Sequence, residues 1–249
     1  MTTSSSRRRF LALAGAASGA LLAACQPAGD KAPLYAPATP TLRSPDRLDG
    51  EAARTRLKDG NIRYVASNLQ YPDQSAERRA QVAQSQSPFA AVICCSDSRV
   101  PPEIIFDQGL SDLFVVRVAG SVLDDPLLGS LEYGVDHLNI PLIMVLGHTR
   151  CSAVRAALEA FYLGAEVPGN FGSVVQAIEP AVEKAQAQSG DPWLNAIRAN
   201  VQLVAAQLEA SSPIIAKAVK AKELTVVRAL YDLETGWVEI LPAEKSEGK

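Results

Sequence analysis

Histidine and aromatic residues are scarce in this 249-residue sequence: two histidines, His137 and His148, and 6% Phe, Trp and Tyr. Imidazole chemistry, if any, therefore rests on one of two residues. Positive charge is not in excess either. The formal net charge is −3 and the isoelectric point about 5.5, which argues against a nucleic-acid partner. No internal repeat is present, and beyond residue 24 no stretch is long and apolar enough to span a bilayer. Hydrophobic residues reach 47% and charged residues 20%, near globular averages. Disorder throughout is thus excluded, because the apolar mass can offset chain entropy. The length fits one large domain or two small ones.

The first 24 residues read as an export signal. Arg7, Arg8 and Arg9 precede an apolar run from Leu11 to Ala24, too short for a comfortable membrane span. Ser6-Arg7-Arg8-Arg9-Phe10-Leu11 resembles the twin-arginine export motif. Leu22-Ala23-Ala24-Cys25 resembles a lipobox, in which cleavage precedes the cysteine and lipid is attached to it. An uncleaved N-terminal anchor is the plainer alternative, and two independent motifs at the right spacing weigh against it. Cys25 is therefore the expected lipidation site. Residues 25–46, with Pro27, Pro33, Pro37, Pro40 and Pro45, read as a tether. Residues 47–242 form the expected domain, and 243–249 a polar tail. The expected location is the bacterial cell envelope, on the periplasmic side. There the lipid is the only membrane anchor, and Gln26 after the cysteine favours the outer membrane by resemblance to enterobacterial sorting.

Within the domain, residues 47–68, 75–86, 126–138, 151–162 and 213–222 read as helices. A longer helical stretch, 170–210, is punctuated by Pro180 and Pro192. Phe89 to Cys95, Leu113 to Val118 and Leu142 to Leu146 are apolar runs of strand length, as buried parallel strands are. Gly147 is expected to end the third. Leu224 to Tyr231 and Trp237 to Leu241 flank the turn signal Asp232-Leu233-Glu234-Thr235-Gly236. Strands alternating with helices predict an α/β fold. It has a mostly parallel central sheet, about four parallel strands plus one antiparallel edge strand, covered by helices.

Chemistry concentrates at two strand ends. Cys95-Ser96-Asp97-Ser98-Arg99 follows the first strand, and His148-Thr149-Arg150-Cys151 follows the third. If these strands are neighbours, Cys95, His148 and Cys151 converge. Two thiolates and an imidazole suit zinc and leave a fourth position for water. Cys151 also starts a helix, whose dipole favours thiolate. Cys94 alternates to the other face of its strand and reads as core. His137 has no partner motif and reads as a helix-surface residue. Arg150 reads as surface charge, and Glu132 and Asp136 as solvated.

Cys95-x-Asp97-x-Arg99 with His148-x-x-Cys151 resembles the beta-class carbonic anhydrases. Similar segments are Asp59-Gly60-Asn61-x-Arg63-Tyr64, Val100-Pro101-Pro102-Glu103, Gly129-Ser130-Leu131-Glu132-Tyr133 and Tyr231 to Gly236. The likeness covers roughly residues 47 to 242. It implies that Cys95, His148 and Cys151 bind zinc, and that a zinc-bound hydroxide hydrates carbon dioxide reversibly to bicarbonate and a proton. Asp97 would accept a hydrogen bond from that hydroxide, and Arg99 would hold Asp97 by a charge-assisted pair. In some members the aspartate swings onto zinc, so Asp97 is also an alternate fourth ligand. Members pair as homodimers or homotetramers, and residues 47–68 are the candidate arm.

Two positions depart from the family's habits. Ser121 follows Arg117-Val118-Ala119-Gly120 where Asn is frequent, and Ser152 follows the second zinc cysteine where Gly is. Gln108 does not fall in register with the substrate-orienting glutamine of plant-type members. Two other readings remain open from sequence alone. One is a related zinc hydrolase acting on carbon disulfide or carbonyl sulfide. The other is a non-catalytic bicarbonate- or zinc-binding lipoprotein, or a thiol redox protein pairing Cys94 with Cys95 or Cys151.

Overall fold

The structure, a computed structural model, describes residues 47–243. The expected signal (1–24), Cys25, the tether (25–46) and nearly all of the polar tail lie outside the described residues. The elements run α1 (Gly50–Val65), α2 (Ala76–Val82), β1 (Ala90–Cys94), α3 (Pro102–Ile105) and β2 (Leu113–Arg117). A 3-10 turn (Ala119–Ser121) and α4 (Asp125–Asp136) lead to β3 (Leu142–His148) and α5 (Ser152–Leu163). Then come α6 (Phe171–Ala185), α7 (Pro192–Ser211), α8 (Pro213–Lys220), β4 (Thr225–Tyr231) and β5 (Val238–Leu241).

The sheet order is β2-β1-β3-β4-β5. The first four strands are parallel, and β5 pairs antiparallel with β4. The expected α/β class and its single antiparallel edge strand are therefore present. From β1 the chain moves to one side for β2 and to the other for β3. This reversal opens a crevice at the carboxyl ends of β1 and β3, where open α/β sheets take ligands.

Period-two alternation divides β1 between two cores. Ala91 and Ile93 pack with α4 to α8, whereas Ala90, Val92 and Cys94 pack with α1 and α3. Leu57 of α1 is fully buried, and such a leucine contributes about 1.5–3 kcal/mol. Asp49 caps α1 by accepting from Ala52 N–H at 2.8 Å. The buried Asn61 ties α1 to its surroundings. Its amide donates to the Ile105 and Gly236 carbonyls, and its Oδ1 accepts from Val238 N–H.

Three local expectations change. The third strand does not stop at Gly147: Gly147 pairs with Leu230 and His148 with Tyr231. Gly147 marks a close approach instead, because a Cβ there would lie 2.5 Å from Val201 Cγ2. Pro180 does not break α6. It lies on the exposed face, where the lost backbone bond is left to solvent, while Ile178, Ala181 and Val182 bury the other face. The short helix α3 carried no periodic signal and was not expected; Pro102 at its start favours the turn. No helix among the described residues is long and apolar enough to cross a membrane.

Candidate metal centre

The crevice between β1 and β3 collects the three expected ligands. Cys95 is the first residue past β1, His148 the last of β3, and Cys151 the N-cap of α5. All three are buried, and their ligand atoms lie within 4.8 Å of one another. His148 Nδ1–H donates to the Thr149 carbonyl at 2.9 Å. That leaves the lone pair on Nε2, which is buried with no hydrogen-bond partner among the described residues. An orphaned imidazole nitrogen facing two sulfurs, its other nitrogen fixed by a carbonyl, is the arrangement of a metal ligand. The donor set fits zinc and leaves room for a fourth ligand.

The sulfurs are electrostatically unequal. The Cys95 thiol is pushed well down, first by the hydrogen bond from Cys151 and then by the backbone N–H groups of Asp97 and Gly120, against burial. The Cys151 thiol is pushed up by the bond it donates to Cys95, by burial and by the Cys95 charge. The backbone N–H groups of Ala153 and Val154 do favour thiolate, as the helix-start argument expects, but they are outweighed. Two buried sulfurs in hydrogen-bond contact with each other form a place where a dication can replace the thiol protons. Cys94 stands apart in the other core, with its thiol pushed up to about 12 by burial. This placement gives no support to a Cys94 disulfide, and Cys94, Cys95 and Cys151 are all free thiols.

Asp97 and Arg99 meet at the rim. Arg99 Nε and Nη2 donate to Asp97 Oδ1 and Oδ2 at 2.9 and 2.7 Å, and Arg99 N–H adds 2.9 Å to Oδ1. The guanidinium holds the Asp97 carboxyl down to about 2. Asp97 Oδ2 lies 4.0 Å from His148 Nε2, so one carboxylate oxygen borders the space between the donors. An ordinary surface pair would not point into such a space.

Sequence reasoning missed a supporting layer. Arg117, at the end of β2, donates to the Cys95 carbonyl at 3.1 Å and the Asp97 carbonyl at 2.6 Å, strapping the loop between them. Gly120 N–H donates to Cys95 Sγ at 3.3 Å. This requires glycine at φ +71°, where a Cβ would also meet Ile178 Cδ1 at 2.6 Å. The Arg117-x-Ala119-Gly120 run was visible in sequence, but its bonds to the site were not.

The remaining residues fall away from the centre or at its edge. Gln108 is buried and already engaged, accepting from Arg56 Nε and donating to the Phe106 carbonyl. Arg150 is exposed and pairs with Glu234 at 3.1 Å. Glu132 is not merely solvated, since it accepts from the buried Ser212 hydroxyl at 2.5 Å. His137 is half-buried, stacked on Tyr133 with ring centroids 4.9 Å apart. Ser121 is buried near the Leu146 carbonyl, and Ser152 is exposed at the start of α5.

The carbonic anhydrase family profile matches residues 90–238. A carbonic anhydrase of Mycolicibacterium smegmatis is 44% identical over 191 residues, which is 76% of this chain and 92% of that protein. The chain belongs to the carbonic anhydrase family. A solved relative places it in the beta class. A Coccomyxa beta-carbonic anhydrase, solved in complex with acetazolamide, is 30% identical with a TM-score of 0.58, covering 65% of this chain and 75% of that one. One of two tetrameric beta-carbonic anhydrases of Sordaria macrospora shares the fold at 23% identity and a TM-score of 0.59, covering 65% and 84%.

Proposed function

We infer that this protein hydrates carbon dioxide reversibly to bicarbonate and a proton, with zinc held by Cys95, His148 and Cys151. The observation that carries this is the orphaned His148 Nε2, buried beside two sulfurs in a chain of this family. Bound zinc supplies Lewis acidity that brings the pKa of a water down to about 7.

The chain's own residues do the rest. Asp97 stays ionised because Arg99 occupies both its oxygens. Its Oδ2 accepts a hydrogen bond from the attacking oxygen and so orients a lone pair toward the carbon. Arg99 fixes that direction. Coordination by Asp97 as a fourth ligand requires this pair to open. Arg117 and Gly120 hold the Cys95 loop, and burial of all three ligands keeps bulk water from competing. The test offers carbon dioxide, carbonyl sulfide and carbon disulfide in parallel. Acidification with carbon dioxide alone is expected. Release of hydrogen sulfide without carbon dioxide hydration would move the protein to the other substrates, and inactivity on all three would leave a binding protein.

The assembly is a homodimer or homotetramer. Support comes from Ile62 and Val65 of α1, large apolar side chains left exposed on the expected arm, and from the tetrameric Sordaria relatives. Light scattering at micromolar concentration is expected to give at least a dimer mass; a stable monomer contradicts it.

The address is export by the twin-arginine route, lipidation at Cys25 and anchorage on the periplasmic side, the outer membrane favoured. The site itself supports the route. Cys95 and Cys151 must stay reduced, yet the compartment beyond the inner membrane oxidises thiols. A route that carries folded proteins lets the thiols take zinc in the cytosol first. Replacing Arg7 and Arg8 with Lys is expected to leave the enzyme in the cytosol on cell fractionation. Undiminished active enzyme in the envelope contradicts the route.

A further inference from the structure

One face of α7 reaches the surroundings of all three donors. Trp193 Nε1–H donates to the Cys151 carbonyl at 3.0 Å. Ile197 and Val201 lie against Gly147, the neighbour of His148, close enough that a Cβ there would be 3.5 and 2.5 Å from their Cγ2 atoms. The buried Asn200 Nδ2–H donates to the Gly120 carbonyl at 2.7 Å, and Gly120 N–H in turn donates to Cys95 Sγ at 3.3 Å. Residues 193, 197, 200 and 201 follow the i, i+4, i+7, i+8 spacing of a single helical face. The helix is itself fixed at its start, with Pro192 in its first turn and Asp191 accepting from Trp193 N–H.

We propose that Trp193 and Asn200 are positioning residues for the metal, setting the two sulfurs against the imidazole from one rigid helix. This rests on zinc binding at Cys95, His148 and Cys151. The two side chains act differently. Trp193 holds the main chain of one ligand. Asn200 holds Gly120 in the left-handed conformation that aims its N–H at the other sulfur. That N–H draws electron density from the Cys95 thiolate and so tunes its bond to the metal. Asn200 Oδ1 has no partner among the described residues, so the bond to Gly120 alone accounts for the amide's orientation.

The test loads the full chain with cobalt(II) in place of zinc. It reads the thiolate-to-cobalt charge-transfer band and the rate of cobalt release to excess chelator. Asn200→Leu, which keeps the branching but has no donor, is expected to shift the band and speed release about tenfold. Trp193→Phe keeps an aromatic ring without the N–H. It is expected to speed release by about as much, with a smaller shift, because it touches a ligand's carbonyl and not its sulfur. Arg198→Ala, on the same helix but bonded outward to Glu239, is expected to change neither readout. If Asn200→Leu does not fold, Trp193→Phe decides alone. A wild-type band and release rate in the folded variants overturns the proposal. A wild-type chain that shows no thiolate band on cobalt loading overturns the metal site itself, and this inference with it.

Discussion

Cys151→Ala and His148→Ala each strip zinc and carbon dioxide hydration together. The wild-type chain is expected to carry about one zinc, bound by two sulfurs and one nitrogen. Loss of either donor leaves two protein ligands in a buried space built for three, and the sulfurs that remain, one in Cys151→Ala and two in His148→Ala, lose the cation that keeps them thiolates. Cys94→Ala is the control. It removes a thiol one residue from a ligand but in the other core, so zinc and activity stay while stability falls by about 1 kcal/mol. Elemental analysis beside a hydration assay reads all three variants. Full zinc occupancy in Cys151→Ala or His148→Ala removes these residues from the metal site.

Asp97→Asn separates binding from turnover. The amide has nearly the shape of the carboxylate and touches none of the three donors, so zinc is retained. It carries no negative charge to draw a proton toward itself, and hydration falls about a hundredfold or more, the scale of a lost proton acceptor. Arg99→Ala harms turnover in the same direction because Asp97 is no longer aimed. The sign of the pH effect is fixed by the depressed Asp97 carboxyl. Its folded value, about 2, lies below the ordinary value of about 3.9. What the ion pair contributes is therefore present in full above about pH 4 and is lost as pH falls toward 2. Arg99 is more than half exposed, so screening keeps that contribution small. No activity limb between pH 5 and 9 is expected from Asp97. A wild-type rate in Asp97→Asn takes the carboxylate out of the mechanism.

The ligands were legible because they sit at the ends of apolar runs. Phe89 to Cys95 and Leu142 to Leu146 are unbroken hydrophobic stretches of strand length, as fully buried parallel strands are. Cys95 and His148 are therefore readable as strand-end residues before any geometry is known. Their convergence depends on β1 and β3 being adjacent, which the structure supplies. Gly147 misled because a glycine reads equally as a terminator and as a point of close packing; Val201 of α7, far along the chain, makes it the latter. The α7 clamp had no sequence signal at all. Trp193 and Asn200 act through main-chain carbonyls 42 and 80 residues away, and a carbonyl is present at every position. Pro180 failed as a breaker for a related reason: an exposed backbone gap costs little when the opposite face of the helix is buried.

The central claim is that Cys95, His148 and Cys151 hold the zinc that hydrates carbon dioxide, and stopped-flow hydration during a zinc titration tests it most directly. Metal-stripped protein is mixed with carbon dioxide and a pH indicator at rising zinc. The account predicts acidification that climbs linearly with added zinc, levels at about one zinc per chain, and fails to appear in Cys151→Ala at any zinc level. Hydration that is insensitive to zinc, or undiminished in Cys151→Ala, would contradict it.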